Sequence, residues 1–431
     1  MKRELNISKD LAKRKYKIPN GFLYWIYYVI MVKIVLRKFK PKFIKEVDLK
    51  DYKGPCFLVW NHLSRIDHGY ILGCAYPRKI NIVAGYNEFF RSHLHFPFKL
   101  MSILPKKNFA TDIPGVRAIT SIIKKGGCVA LSPEGMASNF GYNHPVVVGT
   151  GNFIKHFKVP VYFVELKGQY LANTKVCLDE RYGRNQATLK LLFSPEDLAK
   201  LSGEEIEAKM NLAFKHDDYE WNKTEHIKFD THGRICENLS DICYLCPKCG
   251  SENMKSEKDY IVCLDCNNGA RMNDYYEFEP YKDSLIPSSP SEWVNYERMQ
   301  IIKEIRKDSN YSYSFDIELG KLPNDHYLKN LKTTEIVGEG KMTIDHNGVH
   351  YNGTKDGSAW SFDLDYNAIY TWVPVTASDH YGYYINEEFY EFFPKKPNFG
   401  KSMLLVEEMH RLHVNKWKNF PWNDYMYENL D

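Results

Sequence analysis

Cys56-Phe-Leu-Val-Trp60, followed at once by Asn61-His62-Leu63-Ser64-Arg65-Ile66-Asp67-His68, is the stretch on which the reading of this chain turns. Five consecutive apolar, β-favouring residues predict a buried strand. The polar run begins where that strand ends and a helix can start. Residues five apart do not lie over each other on a helix, but a turn at Leu63-Ser64 would bring the Asp67 carboxylate to the His62 imidazole. A carboxylate on one ring nitrogen fixes the tautomer and leaves the other nitrogen as a base. The plainer reading is a helix start, with Asn61 or Ser64 as cap and Asp67 in solvent.

A second block has the same placement. Leu131-Ser-Pro133-Glu134-Gly135-Met-Ala-Ser138 follows the strand-like run Gly127-Cys-Val-Ala-Leu131. Catalytic and ligand groups of α/β domains gather at the carboxyl ends of the strands. The fold class expected is therefore α/β.

Asn-His-x-Ser-x-x-Asp, then Pro-Glu-Gly with its glutamate 72 residues after His62, resembles the glycerophosphate/lysophospholipid acyltransferase family. Two looser blocks agree: Ser102-Ile-Leu-Pro-Lys106-Lys107, and Val159-Pro-Val-Tyr-Phe-Val164 running on to Gly168. The likeness spans about residues 20 to 230. It implies an acyltransferase-type α/β domain, placed at 44–235, that moves an acyl group from acyl-CoA or acyl-carrier protein to the hydroxyl of a lysophospholipid, lysophosphatidate first. His62 would be the general base and Asp67 its orienter. Asn61, Ser64, Lys106, Lys107, Glu134, Gly135 and Ser138 would be substrate-binding residues, with Glu134 on the acceptor headgroup. The alcohol needs its proton removed as it attacks, and the oxyanion needs donors such as backbone N–H groups near Gly135. Where the family usually has Thr-Arg-Ser after Glu-Gly, this chain has Met136-Ala137-Ser138, which leaves the acceptor open. The competing functional class is a zinc-ribbon or lipid-sensing scaffold with an inactive acyltransferase-like domain.

Overall the chain carries a net +4, but residues 1–42 hold twelve Lys/Arg against two Asp/Glu. Within them Phe22 to Val32 is apolar and aromatic, resuming after Lys33 at Ile34-Val-Leu36. That is short of the ~20 residues a spanning helix needs. Segment 1–43 is expected to lie on a membrane surface with anionic lipids, giving a peripheral or monotopic protein at the cytoplasmic face of the cell membrane. Alternatively it is an amphipathic helix covering the domain, and both can hold. Aromatic-aliphatic continuity disfavours a nucleic-acid arm.

Ten cysteines include Cys246-Pro-Lys-Cys249 and Cys263-Leu-Asp-Cys266, spaced as a zinc ribbon over 236–283. Four thiolates close a tetrahedron, so the zinc would be structural and no catalytic metal is expected. Cys243 is also correctly spaced from Cys246, and a redox pair or a rubredoxin-like iron site are the alternatives. Beyond lie a linker and helix at 284–310, with Trp293, Tyr296, Met299, Ile302 and Ile305 as its stripe, and a β-rich domain with a closing helix at 311–431. Strand patterns, including Ala368 to Val373, and a helix from Ser402 to Trp417 suggest a pleckstrin-homology-like barrel.

Overall fold

Cys56–Trp60 is buried along its whole length because it lies in the middle of a seven-stranded sheet. The computed structural model describes residues 5–329, 332–375 and 379–417. Its first sheet comprises β1 (Lys42–Lys45), β2 (Cys56–Trp60), β3 (Ile80–Gly85), β4 (Leu104–Lys106), β5 (Cys128–Leu131), β6 (Val161–Lys167) and β7 (Gln186–Phe193), in the order β1-β7-β6-β2-β5-β3-β4. The strands from β6 to β4 are mutually parallel, and direction reverses between β6 and β7. Register runs from Cys56 opposite Cys128 to Val59 opposite Leu131. Both polar runs therefore leave the sheet side by side, at one edge.

The two faces of the sheet are covered differently. Phe57, Val59, Val129, Val161 and Phe163 pack with Ile119, Ile122, Ile154, Ile206 and Phe214 of the helices Ile113–Lys124, Thr150–Phe157 and Gly203–Phe214. Leu58, Trp60, Ala130, Val164 and Leu166 belong instead to a core that continues into the second half of the chain. Alternation of side chains along β2 assigns each residue to its face.

Before the sheet, one helical run changes from α (Gly21–Tyr28) to π (Val29–Val35) to 3-10 (Leu36–Phe39). Asn20 caps it, accepting the N–H groups of Phe22 and Leu23. Tyr24, Val32, Leu36 and Phe39 are buried, whereas Phe22, Trp25, Ile30 and Ile34 are exposed. The segment thus covers the domain with one face and presents apolar side chains on another. Among the described residues no helix is long and apolar enough to cross a membrane. Lys2 and Arg3 of the basic run lie outside the described residues.

A four-stranded antiparallel sheet, β8 (Met254–Glu257), β9 (Tyr260–Cys263), β10 (Gly269–Met272) and β11 (Phe278–Pro280), carries the cysteine pairs. The helix Pro290–Lys307 follows. It buries Trp293, Val294, Glu297, Arg298, Ile301, Ile302 and Ile305, so the expected stripe through Tyr296 and Met299 is displaced. Two charged residues enter the interior because each meets a fixed partner there: Glu297 accepts the Leu245 N–H at 2.9 Å, and Arg298 reaches Glu407 at 2.9 Å.

The last sheet is antiparallel: β12 (Ser312–Lys321), β13 (Glu335–Asp345), β14 (Gly348–Lys355), β15 (Ser358–Leu364), β16 (Val373–Pro374), β17 (Tyr381–Ile385) and β18 (Glu388–Pro394), in the order β15-β14-β13-β12-β18-β17-β16. The expected strand Ala368 to Val373 shrinks to β16. Asp365 accepts the N–H groups of Asn367 and Ala368 and turns the chain there. The closing helix is Phe399–His413 rather than Ser402 to Trp417. His410 ends it: Nδ1 donates to the Tyr366 carbonyl, and Nε2 accepts the Lys416 N–H. Burial pushes the pKa of this neutral imidazole down to about 4. Of the expected domain 311–431, residues 330–331, 376–378 and 418–431 lie outside the described residues.

Candidate functional site

Where β2 ends, Asn61 replaces the sheet ladder with its side chain, donating to the Leu166 carbonyl at 2.9 Å and accepting the Leu166 N–H at 2.8 Å. The chain then turns, and the helix Asp67–Ala75 begins. In that turn Asp67 Oδ2 accepts His62 Nδ1 at 2.8 Å and the Leu63 N–H at 2.8 Å. Its Oδ1 accepts the Ser64 N–H at 3.1 Å and the Ser64 hydroxyl at 2.6 Å. A buried carboxylate with four donors around it offers Nδ1 only an acceptor, which places the ring hydrogen on Nδ1 and the lone pair on Nε2. The His62 side chain is 26% exposed. Among the described residues nothing bonds its Nε2. Asp67 is not in solvent, and the helix start has no side-chain cap.

Beside this turn Glu134 is fully buried and bridges two backbone segments. Oε1 accepts the His62 N–H and Oε2 the His144 N–H, each at 2.8 Å. Burial pushes its carboxyl well above the usual range, opposed by those two N–H groups. Gly135 adopts φ +73°, a backbone conformation suited to glycine, and its N–H turns back to the Ser132 carbonyl at 3.3 Å. Ser138 donates its N–H to the His62 carbonyl at 2.7 Å and its hydroxyl to the Tyr142 carbonyl.

These placements differ from the expected substrate contacts. Asn61, Ser64, Glu134 and Ser138 have their polar atoms engaged within the protein and hold His62 from behind; the Gly135 N–H closes a turn. Met136 and Ala137 are buried, since the loop after Gly135 runs under the second half of the chain. There Asn139 donates to His144 Nε2, and Tyr142 meets Arg298. Burial, then Arg298 and Arg411, press the His144 pKa down to about 3, so its ring acts as a neutral acceptor. The two lysines are also engaged. Lys106 points its ammonium at the carbonyls of Lys107 and Ala110, near Asp112. Lys107 donates to the Glu387 carbonyl at 2.7 Å, between the rings of Tyr86 and Tyr384.

Sequence reasoning missed three cations on the same side of the sheet. Arg65, two residues before Asp67, donates Nε to Asn173 and Nη2 to the Leu178 carbonyl, straddling the loop that carries Lys175. Lys175 and Arg91 are each 8% exposed. No motif marks them, and only the fold brings them together.

Cys246, Cys249, Cys263 and Cys266 place their sulfurs within 4.8 Å of one another. Two of the separations are 3.7 Å. A tetrahedron with metal–sulfur bonds of about 2.3 Å has edges near ~3.8 Å, so the group fits a metal ion and is compatible with zinc. The knuckles close by backbone bonds from Gly250 to Cys246 and from Asn267 to Cys263. Cys243 stands apart, its buried sulfur 3.9 Å from the Pro290 carbonyl.

No family model matches the chain, and no curated protein does. Among solved structures the chain is similar to the 1-acyl-sn-glycerophosphate (LPA) acyltransferase PlsC from Thermotoga maritima, at 18% identity, over 44% of this chain and 90% of that one, with a TM-score of 0.33.

Proposed function

We propose that the chain is an acyltransferase that moves a fatty acyl group from a thioester, acyl-CoA or acyl-carrier protein, to the hydroxyl of a lysophospholipid, with lysophosphatidate as first choice. The observation that carries this is the His62–Asp67 pair, with Nδ1 tied to a buried carboxylate and Nε2 open. Nε2 takes the hydroxyl proton as the oxygen attacks the thioester carbonyl. The tetrahedral intermediate then collapses, the carbon–sulfur bond breaks, and the imidazolium returns the proton to the departing thiolate. Asp67 balances the charge formed on the ring and keeps it from rotating. No acyl-enzyme is needed, because the thiolate is already a good leaving group.

Three further parts of the reading rest on separate features. Exposed Phe22, Trp25, Ile30 and Ile34, flanked by Lys33, Arg37 and Lys38, favour a peripheral site at an anionic membrane surface. The four cysteines would hold a structural zinc. The strand order of the last sheet and its closing helix favour a pleckstrin-homology-like module.

Purified full chain, presented with radiolabelled acyl donors and a panel of lysolipids on vesicles, should form the diacyl product. His62→Ala should lower kcat by roughly 10²–10⁴-fold with an unchanged circular dichroism spectrum. No transfer from any donor to any acceptor would sink the enzyme reading.

A further inference from the structure

The two lysines expected at a phosphate, Lys106 and Lys107, already serve carbonyl groups of the protein. Two cations near Asp67, Lys175 and Arg91, are in the opposite condition. Lys175 is nearly buried, and among the described residues no carboxylate or carbonyl bonds its ammonium. Arg91 meets Glu88 through Nε at 3.2 Å, while its buried Nη2 has no hydrogen-bond partner among the described residues. Backbone pairing of Phe90 and Ser92 with Leu328 fixes that stretch in place. Arg65 is clamped to the loop on both sides of Lys175. Burial, and then Arg65, hold the Lys175 pKa at about 8; Arg91 acts in the same direction, and Glu88 and Asp67 oppose them. Glu88 and Asp67 act on Lys175, Glu180 on Arg65 and Glu391 on Arg91, so carboxylates balance the charge; what is missing among the described residues is a hydrogen-bond partner for the Lys175 ammonium and for Arg91 Nη2. A guanidinium N–H buried without a partner is costly, and a bound oxyanion relieves it while also taking the unbonded Lys175 ammonium.

Building on the acyl-transfer reading, we infer that Lys175, Arg65 and Arg91 form a phosphate-binding subsite beside His62, in place of Lys106, Lys107 and the arginine absent after Gly135. The Lys175 ammonium, Arg91 Nη2 and the Arg65 Nη1 left over from its two bonds supply charge and N–H donors for the oxygens of a phosphate group. That phosphate belongs either to the acceptor, as a phosphomonoester, or to the coenzyme A of the donor.

Equilibrium binding distinguishes the sources. Calorimetry on the full chain would compare short-chain lysophosphatidate with monoacylglycerol of the same chain, and coenzyme A with pantetheine. One phosphorylated ligand of the two pairs should bind roughly ten- to hundred-fold tighter than its partner. Lys175→Gln should erase that preference and Lys175→Arg should keep most of it. Arg65→Gln, at a half-buried position, provides a second variant. Unchanged preference in both Gln variants, or no preference in the wild type, overturns the subsite. Acyl transfer is assayed separately: the binding pattern without any turnover supports the subsite and breaks the enzyme reading alone.

Discussion

Two polar groups meet at the carboxyl edge of the first sheet, and they are built in opposite ways. Around Asp67 every acceptor has a donor, and one imidazole edge is left open. Around Lys175 three cations gather among Glu88, Glu180 and Glu391, and among the described residues one buried guanidinium nitrogen has no hydrogen-bond partner. The first arrangement is complete without a ligand and fixes a tautomer. The second is incomplete without one. Rigidity where a proton would move, and unsatisfied N–H donors where an anion would dock, is the division expected of a site that holds and deprotonates one substrate.

That contrast can be broken from either side. The largest effect belongs to Asp67→Asn, which presents an amide where four donors point and no longer fixes the hydrogen on Nδ1. We expect kcat to fall by two to four orders of magnitude. A loss below tenfold would show that the buried carboxylate does not set the ring. The Lys175 cluster should show itself in a pH profile. With its pKa at about 8 in the free protein, Lys175 is charged below that value and neutral above it. For a phosphorylated substrate that depends on it, kcat/KM should decline up to about tenfold per pH unit above 8, and Lys175→Arg should flatten the decline. An identical decline with the unphosphorylated analogue would assign it elsewhere.

Glu134→Gln sharpens the first side. It turns an amide N–H₂ toward one of two backbone N–H donors, and should cost about 1–3 kcal/mol of stability, read from denaturant unfolding followed by near-UV circular dichroism. A destabilisation near zero would place a water, not Glu134, between the His62 and His144 amides. The smallest effect lies furthest from both groups. Trp25→Glu should weaken binding to anionic vesicles a few-fold while leaving turnover on detergent-dispersed acceptor unchanged. Deleting residues 1–42 would be a poor substitute, since Ile7, Leu11, Leu36 and Phe39 are part of the core.

The pairing of His62 with Asp67 was legible because it is local: six residues and one turn contain all of its atoms. The cysteine group was legible for the same reason, since spacing alone brings each pair to one knuckle. Only three dimensions separate Cys243 from it, by seating that sulfur against Pro290. From the sequence Glu134 is expected to face substrate, because a carboxylate after a strand normally meets solvent. Its burial depends on the cover of the loop from Met136 to Val147, contributed in part by residues more than 150 positions further on. The same distance hides Lys175, which lies in an unpatterned run, Asn173-Thr174-Lys175-Val176. Helical spacing located the helix Pro290–Lys307 but not its buried face, because Glu297 and Arg298 go inward only when their partners are in place.

That helix has a consequence for the order in which the molecule can be completed. Arg298 joins Tyr142, in the loop after Glu134, to Glu407 near the end of the closing helix. A nascent chain halted before residue 399 would already contain every residue of the His62 turn, yet it would leave Asn139 without Met403 and Arg298 without its acids. The loop that follows Glu134 is therefore covered late in synthesis, by the closing helix. Incomplete chains would lack the cover over the loop that Glu134 ties to the His62 backbone, and a nick between the two halves would act at a distance on residues it never touches.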